Sequence, residues 1–168
     1  MNRRRFITTS LAGTLATGTA AWLFMRTSGN AASGKFEIQK TEAEWRAKLT
    51  EMEYAVLREE ATERAYTSPL LDEKRMGTFN CAGCDLPLYS SETKFDSGTG
   101  WPSFYAALDN AVGTKEDRSF FMVRTEVHCR RCGGHLGHIF DDGPPPTGKR
   151  HCINGVALRF NPSSESTG

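Results

Sequence analysis

Five cysteines offer the most chemistry of any residue type in this 168-residue chain. Four of them form two Cys-x-x-Cys pairs on either side of residues 85–128: Cys81, Cys84, Cys129 and Cys132. The two-residue spacing lets both sulfurs of a pair reach one tetrahedral ion at about 2.3 Å. Two such pairs indicate a structural zinc site, which four thiolates would close to substrate. Two disulfides, formed in an oxidising compartment, are the alternative interpretation of this spacing.

The fifth cysteine, Cys152, has no partner in this arrangement, because an odd number of cysteines cannot all pair. On a strand, alternate residues share a face, so Arg150, Cys152 and Asn154 would project together. A guanidinium beside a thiol favours the thiolate, which is only about 3% of a free cysteine at pH 7. A buried structural cysteine is the alternative for a lone thiol, and the spacing leaves both interpretations open.

Four segments of the chain resemble the peptide-methionine (R)-S-oxide reductases of the B type, the SelR domain family. They are residues 81–84, 95–105, 135–144 and 150–160. The similarity runs from about residue 41 to residue 160, with the motifs in family order. It implies a mainly β fold of two antiparallel sheets, tent-like or barrel-like, with N-terminal helices and a structural zinc ion held by the two cysteine pairs.

The resemblance also implies a reaction at Cys152. The thiolate would attack the sulfur of a methionine-R-sulfoxide in an oxidised protein, which gives methionine and a sulfenic acid on the cysteine. By position, Trp101 would hold the methyl group of the sulfoxide, and His138, helped by His135, would deliver or position a proton. Ordinary core packing for the tryptophan and zinc ligation for the two histidines are the alternatives that these residue types allow.

Three polar residues near the cysteine receive roles from the same resemblance. Asp142 and Asn154 would orient the polar end of the sulfoxide and its water, and Arg150 would keep Cys152 ionised. For Asp142 the alternative is a turn residue, since a Gly-Pro pair follows it directly.

Thr99 marks a departure from the family pattern, because many relatives have a second, resolving cysteine at this position. A sulfenic acid must still be reduced, and with four cysteines held by zinc no thiol of the chain is left to do it. The sequence therefore predicts a one-cysteine cycle, in which a thioredoxin-like protein or a small thiol reduces Cys152 directly.

Two other classes of protein compete with this interpretation. A zinc-ribbon-like module that binds proteins without catalysis would explain the four paired cysteines but leaves Trp101, His138 and Cys152 without a role. Thiol-disulfide exchange through a Cys-x-x-Cys pair predicts reducible pairs and no metal.

The elements that must position these residues begin with a helix. Thr41 and Glu44 form a possible capping box, and an apolar stripe at spacings of four, three and four residues follows it: Trp45, Leu49, Met52 and Val56. This stripe predicts one amphipathic helix packed on the core. After residue 77, short runs broken by Gly, Pro, Asp and Asn predict antiparallel strands.

Two of these strands are defined most clearly by the sequence. The first is predicted over residues 119–128, where the side chains of one face are Phe121, Val123, Thr125 and Val127. The second is predicted over residues 150–160, which contain Cys152. His151 would then face away from the cysteine, in a structural position.

The N-terminal segment predicts export. Arg3 and Arg4 precede Phe6 and an uncharged, weakly apolar stretch over residues 8–25, an order that resembles the bacterial twin-arginine signal. Cleavage is expected near Ala31, with delivery to the periplasm, and an uncleaved membrane anchor is the alternative. The expected order is an export segment at 1–31, a linker at 32–40, a reductase domain at 41–162 and a polar tail at 163–168.

The charge distribution argues against nucleic acid as a partner. The basic residues of the export segment are Arg3, Arg4, Arg5 and Arg26, and without them the chain has 17 basic and 20 acidic side chains. The remaining net charge of −3 gives no cluster of positive charge for a phosphate backbone. The expected partners are oxidised proteins and a thiol reductant, and the expected state is a monomer.

Overall fold

The computed structural model describes residues 36–119 and 122–163, which contain two antiparallel sheets and two short helices. A three-stranded sheet has the order β2-β1-β9, and a six-stranded sheet has the order β3-β4-β8-β7-β6-β5. The strands are β1 (Gly77–Cys81), β2 (Pro87–Ser90), β3 (Lys94–Phe95), β4 (Ser103–Phe104), β5 (Val112–Asp117), β6 (Arg124–Cys129), β7 (His135–Phe140), β8 (Arg150–Ile153) and β9 (Leu158–Pro162). The predicted mainly β fold with two antiparallel sheets and N-terminal helices is confirmed.

The helical region differs from its prediction, because two helices replace one. Helix α1 (Glu42–Lys48) begins at the predicted capping box, and α2 (Glu51–Glu59) begins at a second box made by Thr50 and Glu53. Between them Leu49 is extended, so the 3.6-residue period restarts and Met52 is 51% exposed. The single helix was wrong because a Thr-x-x-Glu sequence also satisfies the first backbone amides of a new helix.

The strand predicted over residues 119–128 begins later, at Arg124. Val123 is 66% exposed and Thr125 is exposed, so of the described residues of the predicted face only Val127 is buried. Phe121 lies outside the described residues. The apolar alternation overestimates the strand, because Val123 lies in the β5–β6 connection and its side chain is exposed.

The second predicted strand is broken into two. β8 ends at Ile153, a 3₁₀ turn (Gly155–Ala157) follows, and β9 then pairs with β1 in the other sheet. The Glu63 carboxylate accepts hydrogen bonds from the amides of Gly155 and Val156, which holds the turn. A single strand over residues 150–160 was therefore wrong, and the break is where the chain passes between the sheets.

Aromatic side chains fill the core beside β8. The rings of Tyr89 and Phe104 stack at 4.4 Å, and Phe79 packs edge-on against Phe104 at 5.0 Å. His151 faces this cluster, and its Nδ1 lies 3.2 Å from the Tyr89 hydroxyl. Burial lowers the pKa of His151 to about 4, so the imidazole is neutral in the folded protein at pH 7.

The export segment at 1–31 lies outside the described residues, as do residues 32–35 of the linker and residues 164–168 of the polar tail. Within the described part of the chain, no helix is long and apolar enough to cross a membrane.

Candidate functional site

The four paired cysteines come together where the two sheets meet. Cys81 ends β1 and Cys129 ends β6, while Cys84 and Cys132 lie in the turns that follow. Their Sγ atoms all lie within 4.8 Å of one another, with Cys81 and Cys132 at 3.7 Å and Cys84 and Cys129 at 3.5 Å. Four sulfurs bound tetrahedrally at about 2.3 Å would be about 3.8 Å apart.

The dimensions of this cysteine cluster fit one zinc ion, and the donor set suits it, since thiolate ligands favour zinc. All five cysteines of the chain are free thiols, and the cluster sulfurs are well beyond the roughly 2.05 Å of a disulfide bond. Among the described residues, the metal-binding group contains neither His135 nor His138.

Tight turns bring each cysteine pair to the cluster. The amide of Gly133 donates to the Cys129 carbonyl over 2.8 Å, and Gly133 has a φ of +68°, where glycine is favoured. A Cβ at this position would lie 2.3 Å from the Phe36 ring, so the site also lacks room for a side chain. The glycine that follows the second pair is thus required by both conformation and packing.

Cys152 lies in the middle of the six-stranded sheet, between two strands that carry other site residues. On β8 it stands opposite Ser103 of β4 and opposite His138 of β7. Its side chain faces a small cavity of about 140 Å³, large enough for the end of a side chain. The cavity is lined by Thr62, Trp101, Arg124, Gly137, His138, Phe140, Cys152 and Asn154.

The thiol of Cys152 is held between opposing electrostatic effects. Burial raises its pKa above that of a free cysteine, while a hydrogen bond with Thr99 and the nearby Arg150 guanidinium lower it in part. The effect of Arg150 has the sign that the sequence predicted. The net pKa is nevertheless raised, because desolvation is the largest contribution.

Arg150 is oriented by Asp142. Two hydrogen bonds of 2.8 and 2.9 Å join Nε and Nη2 of the guanidinium to the two carboxylate oxygens. This pair lowers the pKa of Asp142 and raises that of Arg150. Asp142 is not among the residues that line the cavity, so its direct contact in this structure is with Arg150 rather than with the space a substrate would occupy.

The two predicted histidines have different surroundings. His138 lines the cavity, and its Nε2 lies 2.8 Å from Oδ2 of Asp117. His135 is 3% exposed, does not line the cavity, and contacts His138 ring to ring at 5.4 Å. Burial lowers the pKa of His138, and the hydrogen bond with Asp117 raises it in part.

Glu126 fixes the position of the His135 ring. Its carboxylate oxygens lie 2.8 Å from Nδ1 of His135 and 3.0 Å from Nδ1 of His128. Burial raises the pKa of Glu126, but the two histidine hydrogen bonds outweigh it and bring the pKa to about 2. An ionised Glu126 therefore fixes the ring that packs against His138.

Asn154 and Trp101 are joined through one residue, Glu63. The backbone amide of Glu63 donates to Oδ1 of Asn154 over 2.9 Å, and its carbonyl accepts from Nε1 of Trp101 over 3.1 Å. The Asn154 amide also donates to the Leu136 carbonyl over 2.9 Å. Asn154 follows the end of β8 rather than continuing it, yet it lines the cavity with Trp101.

Sequence reasoning missed several polar residues of the site: Glu63, Asp117, Arg124 and Glu126. Two of them, Arg124 and Glu126, follow a pattern that could have been recognised, since they alternate with His128 on one strand and so share its face. Glu63 and Asp117 reach the site from loops and strand ends distant in sequence. No spacing within one element predicts such contacts.

Known proteins similar to this chain cover nearly all of the described residues. The SelR domain matches residues 49–162. The peptide methionine sulfoxide reductase MsrB of Thiobacillus denitrificans is 56% identical over 124 residues, which is 73% of this chain and 94% of that protein. The MsrB of Methanosarcina barkeri is 53% identical over 129 residues, 76% of this chain and 91% of that protein.

A plant relative shows a similar level of identity. The chloroplastic peptide methionine sulfoxide reductase B1 of Arabidopsis thaliana is 53% identical over 122 residues, which is 72% of this chain and 60% of that protein. The SelR domain matches more than half of this chain, and these relatives are about half identical to it. The chain therefore belongs to the SelR domain family, the MsrB family of peptide methionine sulfoxide reductases.

Proposed function

We propose that this chain reduces methionine-R-sulfoxide in proteins to methionine, with Cys152 as the nucleophile. One observation carries the proposal: the single cysteine outside the cysteine cluster faces a cavity that it shares with Trp101 and His138. Family membership supports the same reaction, since relatives are named for it. A zinc-ribbon-like binding module would leave this cavity without a purpose.

The reaction balances with one cysteine and one proton. The Cys152 thiolate forms a bond to the sulfoxide sulfur while the sulfoxide oxygen takes two protons and leaves as water. Water then attacks the cysteine sulfur, which breaks the sulfur–sulfur bond, returns one proton, and gives methionine and a sulfenic acid on Cys152. The methionine sulfur is reduced by two electrons and the cysteine sulfur is oxidised by two. Because burial raises the pKa of Cys152, the neutral thiol is the main form at neutral pH. The fraction of reactive thiolate therefore increases as the pH rises.

His138 is the group placed to move the proton. Its Nε2 faces the Asp117 carboxylate, which favours the tautomer with hydrogen on Nε2 and leaves Nδ1 to exchange a proton with the substrate. A histidine suits this step because its pKa can be brought near neutral pH. His135 and Glu126 act behind it, by fixing the packing of the His138 ring.

Trp101 supports a preference for one sulfur epimer. The hydrogen bond from its indole to the Glu63 carbonyl fixes the ring at the cavity wall, where an apolar face suits a methyl group. The sulfoxide sulfur is a stereocentre, so fixing the methyl group and the attacking cysteine leaves one direction for the oxygen. Arg150, with Asp142 behind it, and the second amide hydrogen of Asn154 add polarity near that position.

The test is an assay of the full-length protein on peptides that contain separated R and S epimers of methionine sulfoxide, with dithiothreitol as reductant. We expect turnover of the R epimer and background rates on the S epimer. Equal rates on both epimers, or no turnover of either, would contradict the proposal.

The proposed metal of the cysteine cluster is zinc, with a structural role. When bound, zinc joins the turn after β1 to the turn after β6 and contributes to folding free energy. Four cysteine ligands leave no open position for a substrate, so the ion takes no part in the sulfoxide reaction. Elemental analysis of the purified protein should give one zinc per chain, and a substoichiometric value would argue against zinc.

Regeneration of Cys152 is proposed to use an external thiol. Thr99 stands where many family members have the resolving cysteine, and the other four thiols lie together in the cysteine cluster. After one turnover without reductant, mass spectrometry should find a trappable sulfenic acid on Cys152. An intramolecular disulfide of Cys152 would overturn the one-cysteine cycle. A thioredoxin-like protein or a small thiol is the reductant class this cycle requires.

We extend the proposal to export by the twin-arginine route. Methionine is oxidised in compartments that are exposed to the environment, and this route accepts folded, metal-loaded proteins. It rests on the order of Arg3, Arg4 and Phe6 before an uncharged stretch. Fractionation of cells that produce the chain should find it in the periplasm. A variant with Arg3→Lys and Arg4→Lys should stay in the cytoplasm, and equal export of both proteins would contradict this route.

A further inference from the structure

Three hydroxyl side chains connect the sulfur of Cys152 to the backbone of Trp101. Oγ1 of Thr99 lies 3.9 Å from Sγ of Cys152 and 2.8 Å from Oγ of Ser97. Oγ of Ser97 lies 2.7 Å from Oγ of Ser103, which donates to the Trp101 carbonyl over 3.1 Å. We call Ser97, Thr99 and Ser103 the hydroxyl chain.

Counting hydrogens gives the hydroxyl chain a direction. Each hydroxyl has one hydrogen to donate, and the Trp101 carbonyl can only accept, so the hydrogen of Ser103 is used there. Ser97 must then donate to Ser103, and Thr99 must donate to Ser97. The remaining contact, between Thr99 and Cys152, needs the sulfur as donor, which only the neutral thiol can be.

Ionisation of Cys152 reverses this direction. A thiolate only accepts, so Thr99 must turn its hydrogen to the sulfur, Ser97 must donate to Thr99, and Ser103 must donate to Ser97. Each hydroxyl keeps its own hydrogen and rotates, and the thiol proton leaves to the solvent in the cavity. Every contact along the hydroxyl chain is kept, and only the bond from Ser103 to the Trp101 carbonyl is lost.

We propose that Thr99 is a positioning residue for Cys152: its hydroxyl accepts from the thiol and, when the hydroxyl chain reverses, donates to the thiolate. The inference rests on the proposed function, because it concerns the same nucleophile. Thr99 is thus an active polar partner of the sulfur at the position where many relatives have a second thiol. The Ser103 hydroxyl couples this partner to Trp101, the residue at the substrate wall of the cavity.

The hydroxyl chain works among charged neighbours of the cysteine. Arg150 lies on the same strand, with Asp142 paired to it, and His138 and Arg124 line the cavity. Burial raises the pKa of Cys152, and the Thr99 hydrogen bond is one of the effects that lower it. Thr99 differs from the charged neighbours because a hydroxyl does not titrate. Its effect on the pKa of Cys152 is therefore not altered by pH while the enzyme is folded.

The test measures the pKa of Cys152 in the full-length protein, from the rate of alkylation by iodoacetamide over a pH series, with mass spectrometry of the peptide that contains Cys152. Thr99→Val removes the hydroxyl at nearly constant shape. It should raise the pKa by about one unit, a tenfold fall in thiolate at neutral pH, because a hydrogen bond to a charged acceptor is stronger than one to a neutral group. Thr99→Ser keeps the hydroxyl and should keep the wild-type pKa.

Ser97→Ala should shift the pKa in the opposite direction. Without Ser97, Thr99 can turn to the thiolate while Ser103 keeps its bond to Trp101, so ionisation no longer breaks that bond. The pKa should fall by about half a unit, the equivalent of part of one neutral hydrogen bond. Opposite shifts from neighbouring substitutions are not expected if these residues only pack against the cysteine.

Two results would overturn the inference. One is an unchanged pKa in Thr99→Val, and the other is a Thr99→Ser shift as large as that of Thr99→Val, which would indicate packing rather than hydrogen bonding. If Thr99→Val does not fold, an unchanged or raised pKa in Ser97→Ala overturns it. Alkylation does not require sulfoxide turnover, so these shifts in a protein without reductase activity would refute the proposed function and support the hydroxyl chain.

Discussion

The cysteine side chain has opposite surroundings in the cysteine cluster and at Cys152. The cluster thiols are buried together, and each lies within 3.7 Å of another sulfur. Cys152 is partly exposed, faces a cavity, and is surrounded by a hydroxyl, a guanidinium and an imidazole. A thiol among thiols suits a metal ion and stability, whereas a thiol among hydrogen-bonding groups beside an open space suits reaction. Neighbours, and not the residue type, separate the two roles.

The largest effect that would test this comparison is expected from Cys152→Ser. A serine hydroxyl at this position is a far weaker nucleophile, so the rate of sulfoxide reduction should fall by about 1,000-fold or more. The zinc content and the unfolding temperature should match those of the wild type. Wild-type activity in the variant would show that Cys152 is not the nucleophile.

Cys81→Ser should have the opposite consequences, because it removes a ligand of the cysteine cluster. The metal should be lost, and the unfolding temperature should fall by about 10 °C or more, since metal binding contributes directly to folding free energy. Cys152→Ser is the matched control, with one cysteine removed in each protein. Stoichiometric zinc and an unchanged unfolding temperature in Cys81→Ser would show that the cluster is not the metal site.

The opposite side of β8 gives a third test, since His151 is next to Cys152 in sequence but faces the core. Its pKa is about 4 in the folded protein against 6.5 for an ordinary histidine, so below pH 6.5 the unfolded chain binds a proton that the folded chain does not. Stability should therefore decrease by up to about 3 kcal/mol as the pH falls from about 6.5 to about 4.

His151→Gln should flatten that part of the stability curve in chemical unfolding measured over a pH series. Sulfoxide reduction by the folded variant at neutral pH should be nearly unchanged, because the side chain faces Tyr89 and not the cavity. An unaltered pH dependence of stability would show that His151 is not buried in its neutral form.

The smallest expected effect is that of Asp117→Asn, which should lower kcat about tenfold. The Asp117 carboxylate raises the pKa of His138, so its loss should also shift the acidic limb of the pH–rate profile to lower pH. Glu116→Gln is the control, because Glu116 is the next residue on β5 and pairs with Arg118 at the surface. Equal loss of activity in both variants would indicate a general effect on β5 rather than on His138.

The sequence predicted the parts of this protein that depend on spacing and on residue type. The cysteine pairs, the capping box at Thr41 and the lone thiol are local patterns, and each corresponds to a local feature of the structure. The break after Ile153 was not predictable from periodicity, because it depends on the Glu63 carboxylate reaching the turn from a distant segment. Asp117 was missed for the same reason, since its contact with His138 is made across a sheet.

The register of β8 limits how the site can change in evolution. Cys152 faces the cavity because it stands opposite His138 on one side and Ser103 on the other, while His151 faces the core. Side chains alternate along a strand, so the insertion or deletion of one residue in β8 would exchange these two faces. Substitutions can be tried one at a time at any of these positions, but length changes in the strand must come in even numbers. Whether the thiol faces the cavity therefore depends on whether the length of β8 changes by an even or an odd number of residues.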